Sequence, residues 1–329
     1  MHLSEFDFYL PKELIAQVPL EPRDHSKLMV LKGEKIEHRK FYDIVDYLAE
    51  GDTIVLNDTK VIPAKIEGKK LTGGKVELLI LNKLAPYKYT ALVKGKNIRS
   101  CMELTFENNI RGRVEEHVGE GEFIIEFGQE LDLVKLGKTP LPPYIKEKLN
   151  DQNRYNTVYA KHEGSLAAPT AGLHFTKELL EKISRKCNIA YITLHIGAGT
   201  FLPIRTENIL EHRMEKEWFQ ITNQNAEIIN STEGRLIVVG TTVVKALESA
   251  CENGKIIAKE GWSELFIYPS YKFKSNIQGM ITNFHLPKST VLLITCAFAG
   301  RERILSAYKE AIKNNYRFYS FGDSMLILS

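Results

Sequence analysis

The sequence predicts an α/β main domain, a mixed sheet with flanking helices, carrying an inserted small all-β domain. Three observations predict it. Residues 139–329 alternate strand-like apolar runs with amphipathic helical stretches, the pattern of layered α/β architecture. Residues 65–138 read as short strands between turn residues, with weak helix signals. Residues 1–64 again mix helix and strand, so the main domain is expected to be discontinuous, 1–64 plus 139–329, around the 65–138 insert.

In the first segment, Pro11 opens a short helix over Lys12–Gln17, because a first-turn residue needs no N–H donor. "KLMVL" and "TIVLN" follow as β-rich runs. In the insert, "KVELLILNKL", "YKYTALVKG", "CMELTF", "IRGRVEEHV" and "EFIIEF" are strands, and "TGG", "GKN", "ENN" and "GEG" between them are turn chemistry. That spacing fits a small barrel or a sandwich. In the last segment, "LPPYI" is a stiff extended re-entry. Thr176 is placed to cap a helix with Glu178 in its first turn and Leu179, Leu180 and Ile183 on one side. "IAYITLHIG" reads as a strand, and "RLIVVG" as a buried strand leading into the helix "VVKALESAC". "RERILSAYKEAIKNN" is a helix, and "YRFYSFGDSMLIL" closes with strands.

The 329 residues are 43% hydrophobic and 26% charged, the balance of a globular protein with a substantial core. A net charge of +3 makes no demand for a nucleic-acid partner, though clustered Lys and Arg would suit one. The four cysteines, Cys101, Cys187, Cys251 and Cys296, form no CxxC pair, which removes zinc-knuckle and redox-motif readings. The longest apolar run, "VLLITCAFAG", falls short of the roughly 18 residues of a membrane span, and the N-terminus lacks a signal-like apolar core. A cytoplasmic, monomeric protein is expected.

Several stretches could carry chemistry. In "ITLHIGAGTF", Tyr191, Thr193 and His195 share the polar face of a strand, and Gly197 and Gly199 permit close backbone approach. A dinucleotide or methyltransferase turn is disfavoured, since no third glycine follows and Pro203 stands where the helix should run. In "VVGTTVVKALES", Thr241 and Thr242 open a helix and offer N–H groups and hydroxyls to an anion. Lys245 sits against the macrodipole, which suits a partner carboxylate or phosphate, or an ion pair with Glu248. "ITNFHLPKSTVLL" crowds Asn283, His285 and Lys288 into a loop before a helix capped by Ser289 or Thr290. In "EHRMEKEWF", His212 and Glu217 are acid/base candidates, and the absence of a His at +4 argues against a metal. "GSLAAPTAGLHFT" runs from Gly164 through small residues to His174, and reads either as a loop shaped around a ligand or as a tight packed corner.

The stretches "PLPPYI", "RYNTVYA", "GSLAAPTAGLHFT", "TLHIGAGTF", "VVGTTVVKALES", "ITNFHLPKST", "AFAG" and "YRFYSFGD" occur in this order. With "FDFYLPKELIAQ", "RDHSKLMVL" and "GDTIVLNDTKVIPAK", they make the chain resemble the S-adenosylmethionine:tRNA ribosyltransferase-isomerase family of queuosine biosynthesis over residues 5–327. The resemblance implies an inserted β-barrel and no metal. It also implies a reaction in which the ribosyl part of S-adenosylmethionine is transferred and isomerised onto the aminomethyl group of 7-aminomethyl-7-deazaguanine at the wobble position of tRNA. Epoxyqueuosine-tRNA, adenine and methionine would be the products.

Such chemistry needs acid/base groups near neutrality, a grip on the methionine carboxylate and a water-poor pocket. With the resemblance in hand, His174, His195 and His285 are the candidate proton-transfer groups. Thr241, Thr242 and Lys245 are candidates to hold a carboxylate or tRNA phosphate, and Gly197, Gly199 and Thr200 to admit the adenosine. Pro169, Thr170 and Gly172 would shape room for the nucleoside, with His212, Glu217, Asn283, Lys288, Arg317 and Asp323 lining the substrate. Lys60, Lys65, Lys69, Lys70 and Lys75 are candidates for tRNA phosphates, and the target base would leave its stack to react. The chain departs from the family pattern at Glu215, where a His is usual, and at Lys245, where Arg is usual. The Asp usual before "TNFHLP" is not evident. An S-adenosylmethionine methyltransferase and a non-catalytic RNA binder are the competing classes. Adenine release separates both from the expected activity.

Overall fold

The computed structural model describes residues 1–119, 121–197, 199 and 204–328. They divide into two compact units, Met1–Lys60 with Pro143–Ser329, and Val61–Pro142.

The larger unit is built on a mixed sheet, nine-stranded among the described residues. Its order is Lys259–Ser263, Glu217–Ile221, Asn188–Leu194, Thr53–Asn57, Leu236–Val239, Ile277–Asn283, Ser324–Leu328, Lys27–Lys32 and Lys35–Lys40. The four strands from Asn188–Leu194 to Ile277–Asn283 run parallel, while Ser324–Leu328 is antiparallel to its neighbour. Every residue of Thr53–Asn57, Leu236–Val239 and Ser324–Leu328 is buried. Strands covered on both faces lose alternation and read as continuous apolar runs, which is why "TIVLN" and "LIVV" look as they do.

Helices cover both faces. Val55, Ala190, Ile192, Leu194 and Val238 pack with Val243, Val244 and Leu247 of the helix Thr241–Ala250. The alternate residues Ile54, Leu56, Ile237 and Val239 pack with Phe175, Leu179 and Ile183, the last two on the helix Lys177–Ser184. Met29, Leu31, Met325 and Ile327 meet Ile304, Ala307, Tyr308 and Ala311 of the helix Arg301–Lys313. The caps are those the sequence offered: the Thr176 hydroxyl accepts from Leu179 N, and Ser289 caps Thr290–Ala299 by accepting from Leu292 N. One element differs. Lys12–Gln17 is only a 3-10 turn over Lys12–Leu14, because the chain beyond it goes extended to exchange hydrogen bonds with Phe318, Phe318 N to Leu14 O at 2.8 Å and Ala16 N to Phe318 O at 3.2 Å.

The smaller unit is a barrel, not a sandwich. Glu122–Phe127, Lys88–Lys94, Lys75–Ala85, Lys65–Lys70, Glu103–Phe106 and Arg111–Gly119 close on one another, all antiparallel. Phe106 is buried in the barrel and needs bare backbone on two sides. A Cβ on Gly68 would lie 2.6 Å from the Phe106 ring, and one on Gly112 3.0 Å from it.

Candidate active site at the carboxyl ends of the parallel strands

Parallel strands bring their carboxyl ends to one edge of a sheet, the edge where open α/β sheets bind ligands. Here that edge carries Asn57 to Thr59, His195, Gly240 to Thr242 and Asn283. The antiparallel strand Ser324–Leu328 delivers its start, Asp323, beside Asn283, and its parallel neighbour Lys27–Lys32 delivers Ser26.

His174 bridges the ends of Ile277–Asn283 and Lys27–Lys32, the two strands that flank Ser324–Leu328. Asn283 Nδ2 donates to Tyr319 O at 2.8 Å, so its Oδ1 faces the imidazole and accepts from His174 Nε2 at 3.2 Å. His174 Nδ1 then accepts from the Ser26 hydroxyl at 2.7 Å. The ring stacks on Phe41, and burial pushes its pKa down to about 3. His174 is therefore a neutral imidazole with both nitrogens used inside the fold. The small residues before it make room for a side chain of the protein itself. A Cβ on Gly172 would lie 2.1 Å from the Tyr159 hydroxyl. Pro169 precedes and Thr170 begins the 3-10 turn Thr170–His174, where Gly172 N donates to Pro169 O at 2.8 Å.

His195 has a different setting. Its Nδ1 pairs with the Thr59 hydroxyl at 2.7 Å, and its ring stacks on the half-buried Trp218 at 5.0 Å. Gly164, at φ +147°, touches the same ring, and a Cβ there would come within 2.6 Å of Nε2. Half-burial and the neighbouring His162 lower its pKa. The result is an oriented, partly accessible, neutral imidazole.

The anion expected for Lys245 turns out to be internal. Lys245 and Glu217 form a buried ion pair, and Glu217 Oε1 also accepts from Gly197 N at 3.2 Å. Glu248 is engaged elsewhere, by Tyr271, the Lys274 N–H and Ser275. The pair thus anchors Gly197. Glu215 lies against Gly199, its carboxylate 2.9 Å from where a Cβ there would stand. Thr200 lies outside the described residues. At the neighbouring helix start, Gly240 sits at φ +92° and no side chain caps the helix. Asn57 Nδ2 reaches both Thr242 Oγ1 at 3.2 Å and Leu194 O at 3.0 Å, tying the helix start to the strand ends, and Thr241 is buried.

The remaining candidates are spread around this centre. His285 pairs with Thr282 at 2.8 Å, and burial lowers its pKa. Thr282 and Asn283 are consecutive in a strand and face opposite ways, so His285 and His174 attach to opposite faces. Lys288 bonds Asp7 at 2.6 Å and so holds the N-terminal segment. His212 packs edge-on against Phe266, with its pKa lowered by burial. Asp323 accepts from the backbone of Lys27 at 2.9 Å and of Arg317 at 2.8 Å, and meets the Arg317 guanidinium at 3.5 Å. Of the basic residues, Lys60 pairs with Glu163, Lys65 with Glu77, and Lys70 reaches Lys96 O, while Lys69 and Lys75 are strand partners.

One cleft escaped the sequence reading. It encloses about 1000 Å³ with its open mouth and is lined by Asp58, Tyr159, Lys161, His162, Tyr191, Thr193, Gln220 and Asn225 among others. Asp58 accepts from the Thr193 hydroxyl at 2.7 Å and lies 3.6 Å from His162 Nε2, and burial raises its pKa. The polar face of Tyr191, Thr193 and His195 was the available signal, since it joins this cleft to His195 along one strand. Among the described residues no group of three or more His, Cys, Asp or Glu is placed to hold a metal, and no helix is long and apolar enough to cross a membrane.

The family model described as "Queuosine biosynthesis protein" matches residues 3–327. The S-adenosylmethionine:tRNA ribosyltransferase-isomerase of Desulforamulus reducens is 48% identical, and that of Pelotomaculum thermopropionicum 50%, each over the whole of both chains. The crystal structure of the S-adenosylmethionine tRNA ribosyltransferase of Thermotoga maritima is 36% identical, matches with a TM-score of 0.57, and is covered in full by 99% of this chain. With a full-length family match and half the residues shared with named enzymes, the chain belongs to the queuosine biosynthesis protein family.

Proposed function

We propose that this enzyme transfers and isomerises the ribosyl moiety of S-adenosylmethionine onto the aminomethyl group of 7-aminomethyl-7-deazaguanine in tRNA. The product would be epoxyqueuosine-tRNA, with adenine and methionine released, in the cytoplasm and with the protein acting as a monomer. The discontinuous unit is the catalytic domain in this reading, and the barrel is an inserted accessory domain. The relatives' names support the reaction class. The observation that carries the site is the oriented His195 at the carboxyl ends of the parallel strands, on one strand face with the Asp58 cleft.

The sulfonium of S-adenosylmethionine acidifies the ribose C5′ hydrogens, so a neutral base beside C5′ can start the reaction. His195 fits that role, because Thr59 on Nδ1 leaves Nε2 as the working nitrogen and partial burial keeps the ring unprotonated. His174 acts through others: its bonds to Ser26 and Asn283 fix the strand ends that line the substrate. The Glu217–Lys245 pair holds Gly197, against which the adenosine lies, and Thr241 and Thr242 present the helix start to the substrate's anionic end. His285, His212, Lys288, Arg317 and Asp323 support the loops around this centre.

The test is adenine release from S-adenosylmethionine with tRNA bearing the aminomethyl base. Adenine supports the proposal. S-adenosylhomocysteine in its place marks a methyltransferase, and tRNA binding without either product marks a non-catalytic binder.

A further inference from the structure

Three arginines far apart in the sequence meet at one depression in the larger unit. Arg23, Arg154 and Arg317 line it, together with Ser26 and Ser320. Their own partners do not exhaust fifteen guanidinium donors, at five per side chain. Arg23 Nη1 donates to Asn156 O at 2.8 Å. Arg154 meets the Glu21 carboxylate through Nε and Leu20 O through Nη2 at 2.8 Å. Its Nη1 is buried with no hydrogen-bond partner among the described residues. Arg317 holds Asp323 only at 3.5 Å, and its Nη1 lies 3.5 Å from Val18 O. Like charge is crowded here as well: burial and the Arg154 charge lower the Arg23 pKa to about 10, opposed by Glu21 and Asp151.

We propose that Arg23, Arg154 and Arg317 form a binding site for a backbone phosphate of the RNA substrate. This rests on the tRNA reading above and adds the place of contact. Guanidinium forks match phosphate oxygens in pairs, and an anion here would satisfy the orphaned Arg154 nitrogen and offset the Arg23–Arg154 repulsion. The shape selects the source of the anion. The depression encloses about 220 Å³ with its open mouth, against about 1000 Å³ for the Asp58 cleft. It is shallow, so an oxyanion would rest at its mouth, and it has no room for the body of a nucleoside. A phosphodiester on a strand crossing the surface meets that description, whereas the carboxylate of a bound S-adenosylmethionine would need its remaining atoms housed next to it.

The experiment titrates a tRNA transcript into wild type, Arg23→Gln and the charge-keeping Arg23→Lys, from about 50 to 200 mM salt. S-adenosylmethionine affinity and the unfolding temperature are measured alongside. One lost phosphate contact is expected to lower the slope of log affinity against log salt by about 0.7–0.9 in Arg23→Gln, with S-adenosylmethionine affinity unchanged. Arg23→Lys is expected to keep most of the slope and lose part of the affinity. Affinity and slope equal to wild type in both variants overturn the proposal. Loss of S-adenosylmethionine affinity in either variant overturns it too, by assigning the arginines to the methionine carboxylate. Wild type that binds no tRNA at any salt overturns the underlying reading, and that outcome is visible before any variant is compared.

Discussion

Replacing Lys245 by Met should be among the more damaging single changes in the larger unit. The Lys245 and Glu217 side chains are only 5% and 9% exposed, so water cannot replace the lost partner. Glu217 would keep one donor, the Gly197 N–H at 3.2 Å. Removing one member of a buried pair costs about 3–5 kcal/mol, because the other charge is left uncompensated. At about 2–4 °C per kcal/mol for a unit of this size, the thermal midpoint should fall by about 6–20 °C. Replacing both residues, Lys245→Met with Glu217→Leu, removes the buried charge altogether and should restore most of that loss. Calorimetric unfolding of the two single variants, the double variant and wild type gives the coupling energy. A single-variant loss below about 1 kcal/mol, the worth of an exposed pair, would refute the reasoning. So would a double variant as unstable as the worse single.

Three further outcomes are expected. The His174 pKa in the fold, about 3, lies below the ordinary value of about 6.5, so the unfolded chain takes up the proton first. Its contribution is complete above pH 6.5 and is lost as pH falls towards 3, at up to about 1.4 kcal/mol per pH unit. His174→Gln should flatten that acid limb of the denaturant-unfolding profile, and an unchanged slope would contradict the buried neutral imidazole. His195→Ala should slow adenine release by about 10²–10⁴-fold while the protein stays folded, as judged by circular dichroism. Full activity in that variant removes His195 from proton transfer. Gly68→Ala puts a methyl carbon 2.6 Å from the Phe106 ring and should destabilise the barrel by about 1–3 kcal/mol on denaturant titration, and wild-type stability would show that the ring has space to move.

The fold was readable where a local rule and the tertiary structure agree. "TIVLN" and "LIVV" are buried on both faces and look so, and Thr176 and Ser289 cap the helices they precede. The Lys12–Gln17 helix was over-read because Phe318, some 300 residues away, claims the backbone groups beyond Leu14. The site was readable only through its local signs. Lys245 sits against the macrodipole of its helix, and the structure pairs it with the buried carboxylate of Glu217, a residue 28 positions away that no local pattern links to it. The small residues around Gly172 signal a close approach, and in the fold the Tyr159 side chain lies against Gly172. Arg23 and Arg154 each look like an ordinary surface charge in sequence, and nothing there joins them to Arg317, as Asp58 and His162 look like ordinary loop residues. Their meaning lies in juxtaposition, which no local pattern encodes.

The pairing of Thr53–Asn57 with Asn188–Leu194 has a consequence for how the molecule assembles. The middle of the large sheet joins segments separated by well over a hundred residues, and closing so long a loop delays the contacts that repay it. Much of the intervening chain, however, is Val61–Pro142, whose strands pair largely with near neighbours in the sequence. Once those strands have closed, what separates the two halves of the sheet is no longer a free coil but a folded body with fixed ends. A barrel that closes before the sheet would act as a spacer, shortening the search that the central strands must complete.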